Sequence, residues 1–162
     1  MTAAPLDKIL LYIEPNERGL ESARYAVALA RRYAGDLHVV SVVNEQALED
    51  LLRARIFLKE EGIDLQRDLE EDGKRYLAFV EKLAREKDLH VSTELLRGVV
   101  HREVVAKAKE VGASLLIIGE MEESLSRRDC TFNESEQILV TAGCPVLIVK
   151  GRGLVKSFFE SV

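Results

Sequence analysis

The chain has 162 residues, 47% of them hydrophobic, which suits one globular domain with a sizeable core. Acidic side chains outnumber basic ones by 28 to 23, and this balance argues against a nucleic-acid partner and an anionic membrane partner. We predict neither a signal peptide nor a segment that spans a bilayer. The two cysteines lack metal or redox spacing, so we expect a cytoplasmic protein.

Apolar runs typical of buried strands alternate with helical patterns along the chain. Strands are predicted over residues 9–13, 37–43, 89–96, 115–118 and 145–149. Because the connecting segments are helical, the pattern predicts a doubly wound α/β domain, with a parallel sheet, right-handed crossovers and helices on both faces. This domain is expected to cover residues 1–150, and residues 151–162 form a C-terminal tail.

Capping residues indicate where the helices begin and end. Asn16 is predicted to cap the first helix, and Gly35 occupies its expected C-cap. The long charged segment between the second and third strands predicts a short helix that ends near Gly62, then an amphipathic helix over residues 65–83. The next helix is expected to stop at Gly112.

The segment between the fourth and fifth strands carries the functional question. Gly119 ends the fourth strand, and Asn133 is predicted to cap the last helix, whose apolar stripe is Ile138, Leu139 and Ala142. A loop that leads from a parallel strand into a helix is where open α/β sheets bind phosphate. Residues 120–132, however, contain four carboxylates, two arginines and no glycine. The position suits a nucleotide, but the composition opposes phosphate.

Several segments, in their order and spacing, resemble the universal stress protein family. They are residues 8–11 followed by an acidic turn and an alanine-rich helix, then 37–43, Arg97-Gly98, 113–119 and 144–149. The resemblance covers residues 7–150. It implies an adenine nucleotide α-hydrolase-like fold with strand order 3-2-1-4-5, a role in the stress response, frequent homodimers, and a subgroup that binds ATP or AMP.

The nucleotide-binding subgroup of that family carries the motif Gly-x2-Gly-x9-Gly-Ser/Thr after strand four. The corresponding positions here are Gly119, Glu122, Phe132 and Asn133, and only the first matches. Glu122 would place a negative charge beside a phosphate, and two like charges ~4 Å apart repel by about 4 kcal/mol at an effective dielectric of 20. We therefore expect little or no ATP binding and no cofactor, with ATP or AMP as the alternative.

If a nucleotide does bind, the resemblance implies a set of contact residues, which is Glu14, Val43, Gly119, Arg128 and Asn133. Glu14 could hold a ribose hydroxyl, or it is a solvated acid near a helix N-terminus. Asn133 could donate to a phosphate, or it caps its helix. Arg128, with Arg127, could bind an anion or form a solvated pair. We favour the second interpretation in each case.

No constellation of residues predicts a catalytic mechanism or a metal site. His38, His90 and His101 fall on different predicted elements, whereas a metal or general-base site needs two of them to converge. Cys130 lies in a polar loop beside two arginines, and an inert thiol is the favoured interpretation. We therefore lean against an enzyme.

The fifth strand and the tail predict a dimer interface. The edge strand has no charged residue before Lys150, and exposed edges pair readily. The tail has one apolar helical face with Leu154 and Val155, and it either packs on its own domain or crosses to a second subunit. The predicted interface residues are Val146, Leu147, Ile148, Val149, Phe158 and Phe159.

These patterns favour a non-catalytic regulatory domain that acts through protein contacts. We expect it to form a homodimer by way of strand five and to contact an unidentified protein partner. One alternative is a divergent regulator that binds an adenine nucleotide. Another is a small-molecule hydrolase or transferase of the wider nucleotide α-hydrolase-like group, which is disfavoured because no glycine-rich loop follows strand one.

Overall fold

A computed structural model describes residues 6–54, 59–121 and 134–162. The elements alternate as predicted. They are β1 (Lys8–Tyr12), α1 (Glu17–Tyr33), β2 (Asp36–Asn44), α2 (Glu45–Arg53), α3 (Lys59–Glu86), β3 (Val91–Gly98), α4 (Val100–Val111), β4 (Leu115–Gly119), α5 (Glu134–Thr141), β5 (Val146–Val149) and α6 (Arg152–Ser161). Within these ranges no helix is long and apolar enough to cross a membrane.

The strands form one parallel sheet in the order β3-β2-β1-β4-β5, which confirms the predicted topology. The central strand β1 places Leu10 beside His38 of β2 on one side and Leu116 of β4 on the other. Because all strands run the same way, their carboxyl ends meet at a single edge of the sheet.

Helices cover both faces of the sheet, so β1 is buried on both sides. Leu11 faces a core shared with α1, α3 and α6, and Leu10 faces a core shared with α4 and α5. Both leucines are 0% exposed. This double burial explains why β1 is a continuous apolar run rather than an alternating one.

The first helix begins as predicted but ends differently. Asn16 accepts a hydrogen bond from the Gly19 N–H at 2.9 Å, which confirms the N-cap. The predicted C-cap at Gly35 is wrong, because Ala34 adopts the left-handed conformation with φ of 54°. Gly35 is needed for a different reason. A Cβ at this position would lie 2.2 Å from the carbonyl oxygen of Leu6.

Two further helix predictions need correction. Gly62 does not end a short helix, because α3 already begins at Lys59; a Cβ at Gly62 would lie 2.6 Å from Leu52 of α2, so glycine allows the two helices to touch. Leu139 does not belong to the buried stripe of α5. It is 38% exposed, because Ser135 and Ile138 occupy the buried face of that helix.

The tail forms α6, which packs on α1 of the same chain. Val155 is 1% exposed, and the Phe158 ring lies 5.2 Å from the Tyr25 ring. The Lys87 ammonium sits 4.4 Å from the centre of the Phe159 ring and donates to the Val162 carbonyl. Leu154, which was expected on the same face, is 79% exposed.

Candidate functional site

A cavity of about 450 Å³ opens at the carboxyl ends of β1 and β2. This is the edge at which open α/β sheets place their ligand sites. Most of its wall is apolar and comes from α2, α3 and the start of α4, in the residues Ala47, Leu48, Leu51, Leu65, Leu69 and Val100. Its volume lies within the range of about 300–1,000 Å³ that is usual for small-molecule pockets.

The polar part of this cavity is acidic. Glu14 follows β1, and Glu134 begins α5; both line the cavity. Asn16 donates to Glu14 Oε2 at 2.8 Å, and the Ser135 hydroxyl lies 3.5 Å from Glu14 Oε1. In the described part of the chain, no lysine or arginine lines the cavity. The site therefore offers hydrogen-bond acceptors and negative charge to a ligand.

Glu134 also occupies the N-terminus of a neighbouring helix. Its Oε2 accepts from the His101 backbone N–H at 2.7 Å and lies 2.8 Å from His101 Nδ1, which donates because a carboxylate only accepts. The residue before α4, Val99, provides no side-chain cap. A carboxylate from α5 thus takes the position at which a helix N-terminus would receive an anionic ligand.

Two other helix N-termini near this edge are capped in the same way by the chain's own side chains. Asn16 accepts from Gly19 in α1, and Asn44 accepts from the Ala47 N–H in α2 at 3.0 Å. Gly19 is required here, since a Cβ would lie 1.9 Å from the Glu14 carbonyl oxygen. One backbone donor in each of these first turns is therefore already occupied.

Tyr12 is a buried residue that brings a hydroxyl group to the cavity. It lines the cavity and is 6% exposed. Burial, together with the nearby charges of Glu14 and Glu134, holds the pKa of its hydroxyl far above the ordinary value. The hydroxyl therefore stays protonated, with one donor and its oxygen lone pairs available inside the cavity.

The predicted nucleotide-contact residues separate into three groups. Glu14 and Val43 both line the cavity. Gly119 is the last residue of β4 and is not among the lining residues; a Cβ there would lie 3.3 Å from the Arg18 carbonyl oxygen, so close packing against α1 explains this glycine. Arg128 and Asn133 lie outside the described residues, as do Glu122, Phe132, Arg127 and Cys130.

The three histidines do not converge. His101 joins Glu134 at the carboxyl edge, whereas His38 and His90 line a separate cavity at the amino ends of the strands. Within the described ranges no three His, Cys, Asp or Glu side chains are grouped to hold a metal ion. Cys144, the one cysteine in these ranges, is a free thiol whose pKa is raised by burial.

A second polar cluster lies between β3 and α4, and sequence reasoning missed it. Lys107 is 9% exposed and lies 2.8 Å from Glu94 and 3.0 Å from Glu110. His38 Nε2 is 3.5 Å from the same Glu94 carboxylate. Hydrogen bonding to Lys107 lowers the pKa of Glu94, and the two carboxylates raise the pKa of Lys107. Lys107 and Glu94 are 13 residues apart in sequence, so no local motif could predict that they form an ion pair.

The edge strand β5 pairs with β4 along one side. Of the four predicted interface residues on it, Val149 is buried and the others are half-buried. A groove runs beside this strand between α1 and α6, and exposed Tyr33 and Leu154 line it. Phe158 also lines this groove, while Phe159 lies nearer to Lys87.

This fold and its cavity define a doubly wound α/β domain with a ligand-sized site at the carboxyl edge. The model of the universal stress protein family matches residues 5–150, and the chain belongs to that family. It is 28% identical over 145 residues to Universal stress protein MJ0531 of Methanocaldococcus jannaschii, an alignment that covers 88% of this chain and 81% of the relative.

Solved structures share the fold. The structure of hypothetical protein MJ0577 superposes with a TM-score of 0.72 at 20% identity, and the match covers 91% of this chain and 98% of the other. A universal stress protein in complex with cAMP superposes with a TM-score of 0.63 at 16% identity, covering 89% of this chain and 96% of the other.

Proposed function

We propose that the protein is a non-catalytic regulatory domain of the stress response, located in the cytoplasm, that acts through contacts with proteins, including a second copy of itself. It binds ATP weakly or not at all. The observation that carries this proposal is the chemistry of the carboxyl-edge cavity, where two carboxylates and no described cation line the wall.

Phosphate recognition depends on cationic side chains or on free backbone N–H groups. The described wall of the cavity has no cation, and Glu134 occupies the N–H of His101 at the start of α4. A triphosphate would also face the negative charges of Glu14 and Glu134. Both effects oppose phosphate binding in the same direction.

The test is a calorimetric titration of the full chain with ATP. We expect no binding at micromolar concentration. A dissociation constant below ~10 μM, which corresponds to about −7 kcal/mol, would contradict the proposal. The double variant Glu14→Gln/Glu134→Gln should gain ATP affinity, because it removes both charges but keeps the acceptor oxygens. Glu136→Gln, an exposed change in the same helix α5, is the matched control and should leave ATP binding unchanged.

A divergent nucleotide-binding regulator is the second candidate. Two observations favour it: Glu14 and Val43 line the same cavity, and a family structure of the same fold was solved in complex with cAMP. The ATP titration separates the two candidates directly, and repeating it with AMP and cAMP extends the test to ligands with less charge.

The homodimer in this proposal is built around β5. Its outer edge faces no other strand in the described sheet, and apolar Tyr33 and Leu154 lie exposed beside it. Two copies related by a twofold axis would pair these edges antiparallel, so that each strand completes the backbone hydrogen bonds of the other.

Light scattering at micromolar concentration tests the dimer, and a monomeric full chain would end this part of the proposal. Leu154→Lys should weaken the dimer by placing a charge in the groove. Ile63→Lys is the matched control, because Ile63 is also an exposed apolar residue, at 60%, but lies on α3 away from β5. Equal masses for the two variants would remove Leu154 from the interface.

A further inference from the structure

The ring of Tyr12 is buried, but its hydroxyl oxygen opens into the carboxyl-edge cavity. Tyr12 is 6% exposed and lines the carboxyl-edge cavity, yet no group in the described ranges forms a hydrogen bond with its hydroxyl. Its donor and its oxygen lone pairs are therefore open to whatever occupies the cavity. A ligand in the cavity would supply the missing partner.

The surroundings of Tyr12 define the chemistry of that ligand. Glu14 and Glu134 line the same cavity and are close enough to act electrostatically on the Tyr12 hydroxyl. Each carboxylate uses one oxygen for a short hydrogen bond within the protein, with Asn16 or His101, and keeps lone pairs available. All three polar groups can accept from a cationic donor.

The rest of the wall calls for an apolar body. Much of the remaining wall is apolar, and it includes four leucines from α2 and α3, which are Leu48, Leu51, Leu65 and Leu69. A polar ligand such as a sugar phosphate would leave this surface without a complementary partner. A molecule with one charged end and one apolar end matches both parts of the wall.

We propose that this cavity binds a small amphipathic amine, whose ammonium group contacts Glu14, Glu134 and the Tyr12 oxygen and whose apolar body packs against the leucines of α2 and α3. The inference rests on the proposed function in one respect, namely that the cavity is closed to phosphate. Beyond the proposed function, the inference names the class of small molecule that would control the regulatory domain.

Tryptamine is a suitable probe, because the chain has no tryptophan and the indole fluorescence of the probe is read without a tryptophan background. Its anisotropy is measured against increasing full-length protein. Indole-3-ethanol, which replaces the amine with a hydroxyl, is the neutral control. We expect tryptamine to bind at least about tenfold more tightly than indole-3-ethanol, a difference of about 1.4 kcal/mol.

Three variants assign the contacts. Glu14→Gln and Tyr12→Phe should each weaken tryptamine severalfold and leave indole-3-ethanol unchanged, whereas Glu136→Gln on the exposed face of α5 should alter neither. Circular dichroism of each variant checks that it is folded. Loss of binding of both probes in a folded Glu14→Gln variant would indicate a merely structural role for Glu14 and overturn its assignment.

No binding of tryptamine up to millimolar concentration would overturn the inference, as would equal affinity for the two indoles. Adenosine binding more tightly than tryptamine would also overturn it, in favour of a neutral nucleoside. These outcomes are distinct from failure of the proposed function, which is detected separately by micromolar affinity for ATP.

Discussion

The two faces of the sheet are built differently. On the face covered by α1, α3 and α6, the core is apolar, and α1 approaches the backbone closely at Gly19. On the face covered by α4 and α5, neither helix contains a glycine. That face also holds Lys107, the only charged side chain among the described residues that is buried.

This difference separates two ways of stabilising one sheet. The α1 face depends on close packing. A larger side chain on this face should therefore lower the free energy of unfolding more than a change of pH does. The α4 face combines an apolar core with the ionic cluster of Lys107, Glu94 and Glu110, so its contribution should vary with pH. The candidate cavity lies at the carboxyl edge between the two faces, because α3 of the first face and α4 and α5 of the second all contribute to its wall.

The largest predicted effect comes from the apolar cores themselves. Leu11→Ala and Leu10→Ala truncate neighbouring side chains of β1 that point to opposite faces and are both 0% exposed. Each should lower the free energy of unfolding by about 2–5 kcal/mol, measured by urea denaturation. If Leu10→Ala alone lowered the free energy of unfolding by less than about 1 kcal/mol, the α4 face would be loosely packed. That result would contradict the view that both faces have a close-packed apolar core.

Close packing of α1 is tested by Gly19→Ala. The new Cβ would lie 1.9 Å from the Glu14 carbonyl oxygen, so the backbone must shift. We expect a loss of about 1–3 kcal/mol in the same denaturation experiment. Gly153→Ala in α6 is the matched control, because a Cβ there has no atom within 4 Å. It should stabilise the protein by up to about 1 kcal/mol. Equal effects of the two changes would contradict the clash.

The ionic cluster predicts a pH dependence of stability that Lys107→Met should reduce, since Lys107 is the main partner of Glu94. Glu94 has a lowered pKa, so its contribution to stability is present above its ordinary value of 4.5 and is lost as the pH falls through the folded value. Lys107 has a raised pKa, so its contribution is complete below its ordinary value of 10.5 and is lost as the pH rises through the folded value.

The effect of Lys107→Met at pH 7 should be at most about 1 kcal/mol, because Glu94 is 41% exposed and solvent screens the pair. Thermal unfolding between acid and alkaline pH measures the two slopes. Lys156→Met, which breaks an exposed pair with Glu160, is the control and should change neither slope. An unaltered pH profile in Lys107→Met would show that the α4 face gains nothing from its charges.

The smallest predicted effect is that of Tyr12→Phe on stability. Removing a hydroxyl that has no partner in the described structure should change the free energy of unfolding by less than about 0.5 kcal/mol, or raise it slightly. Ser22→Ala is the contrasting change, since the buried Ser22 hydroxyl donates to the Gly19 carbonyl at 2.9 Å, and it should cost about 1 kcal/mol. A comparable loss in Tyr12→Phe would reveal a partner for its hydroxyl.

Local chemistry in the sequence was enough to predict the doubly wound parallel class, whereas the strand order was implied by the family resemblance. Continuous apolar runs identified the strands, and the segments between them identified the crossovers, because a parallel sheet buried on both faces leaves no other pattern. Asn16 and Gly112 marked helix ends through interactions that span four residues or fewer. Glu14 and Val43, which the resemblance implies as contacts if a nucleotide binds, both line the carboxyl-edge cavity.

Only the tertiary structure decided the contacts that give the site its character. Glu134 reaches His101 across 33 positions, and Lys107 reaches Glu94 across a strand-to-helix turn. Gly35 and Gly62 resemble helix stops in the sequence, but both are present because another part of the chain approaches too closely for a Cβ. Periodicity and capping report interactions between near neighbours in sequence. Close approach, buried charge and an unpartnered hydroxyl depend on which distant segments meet.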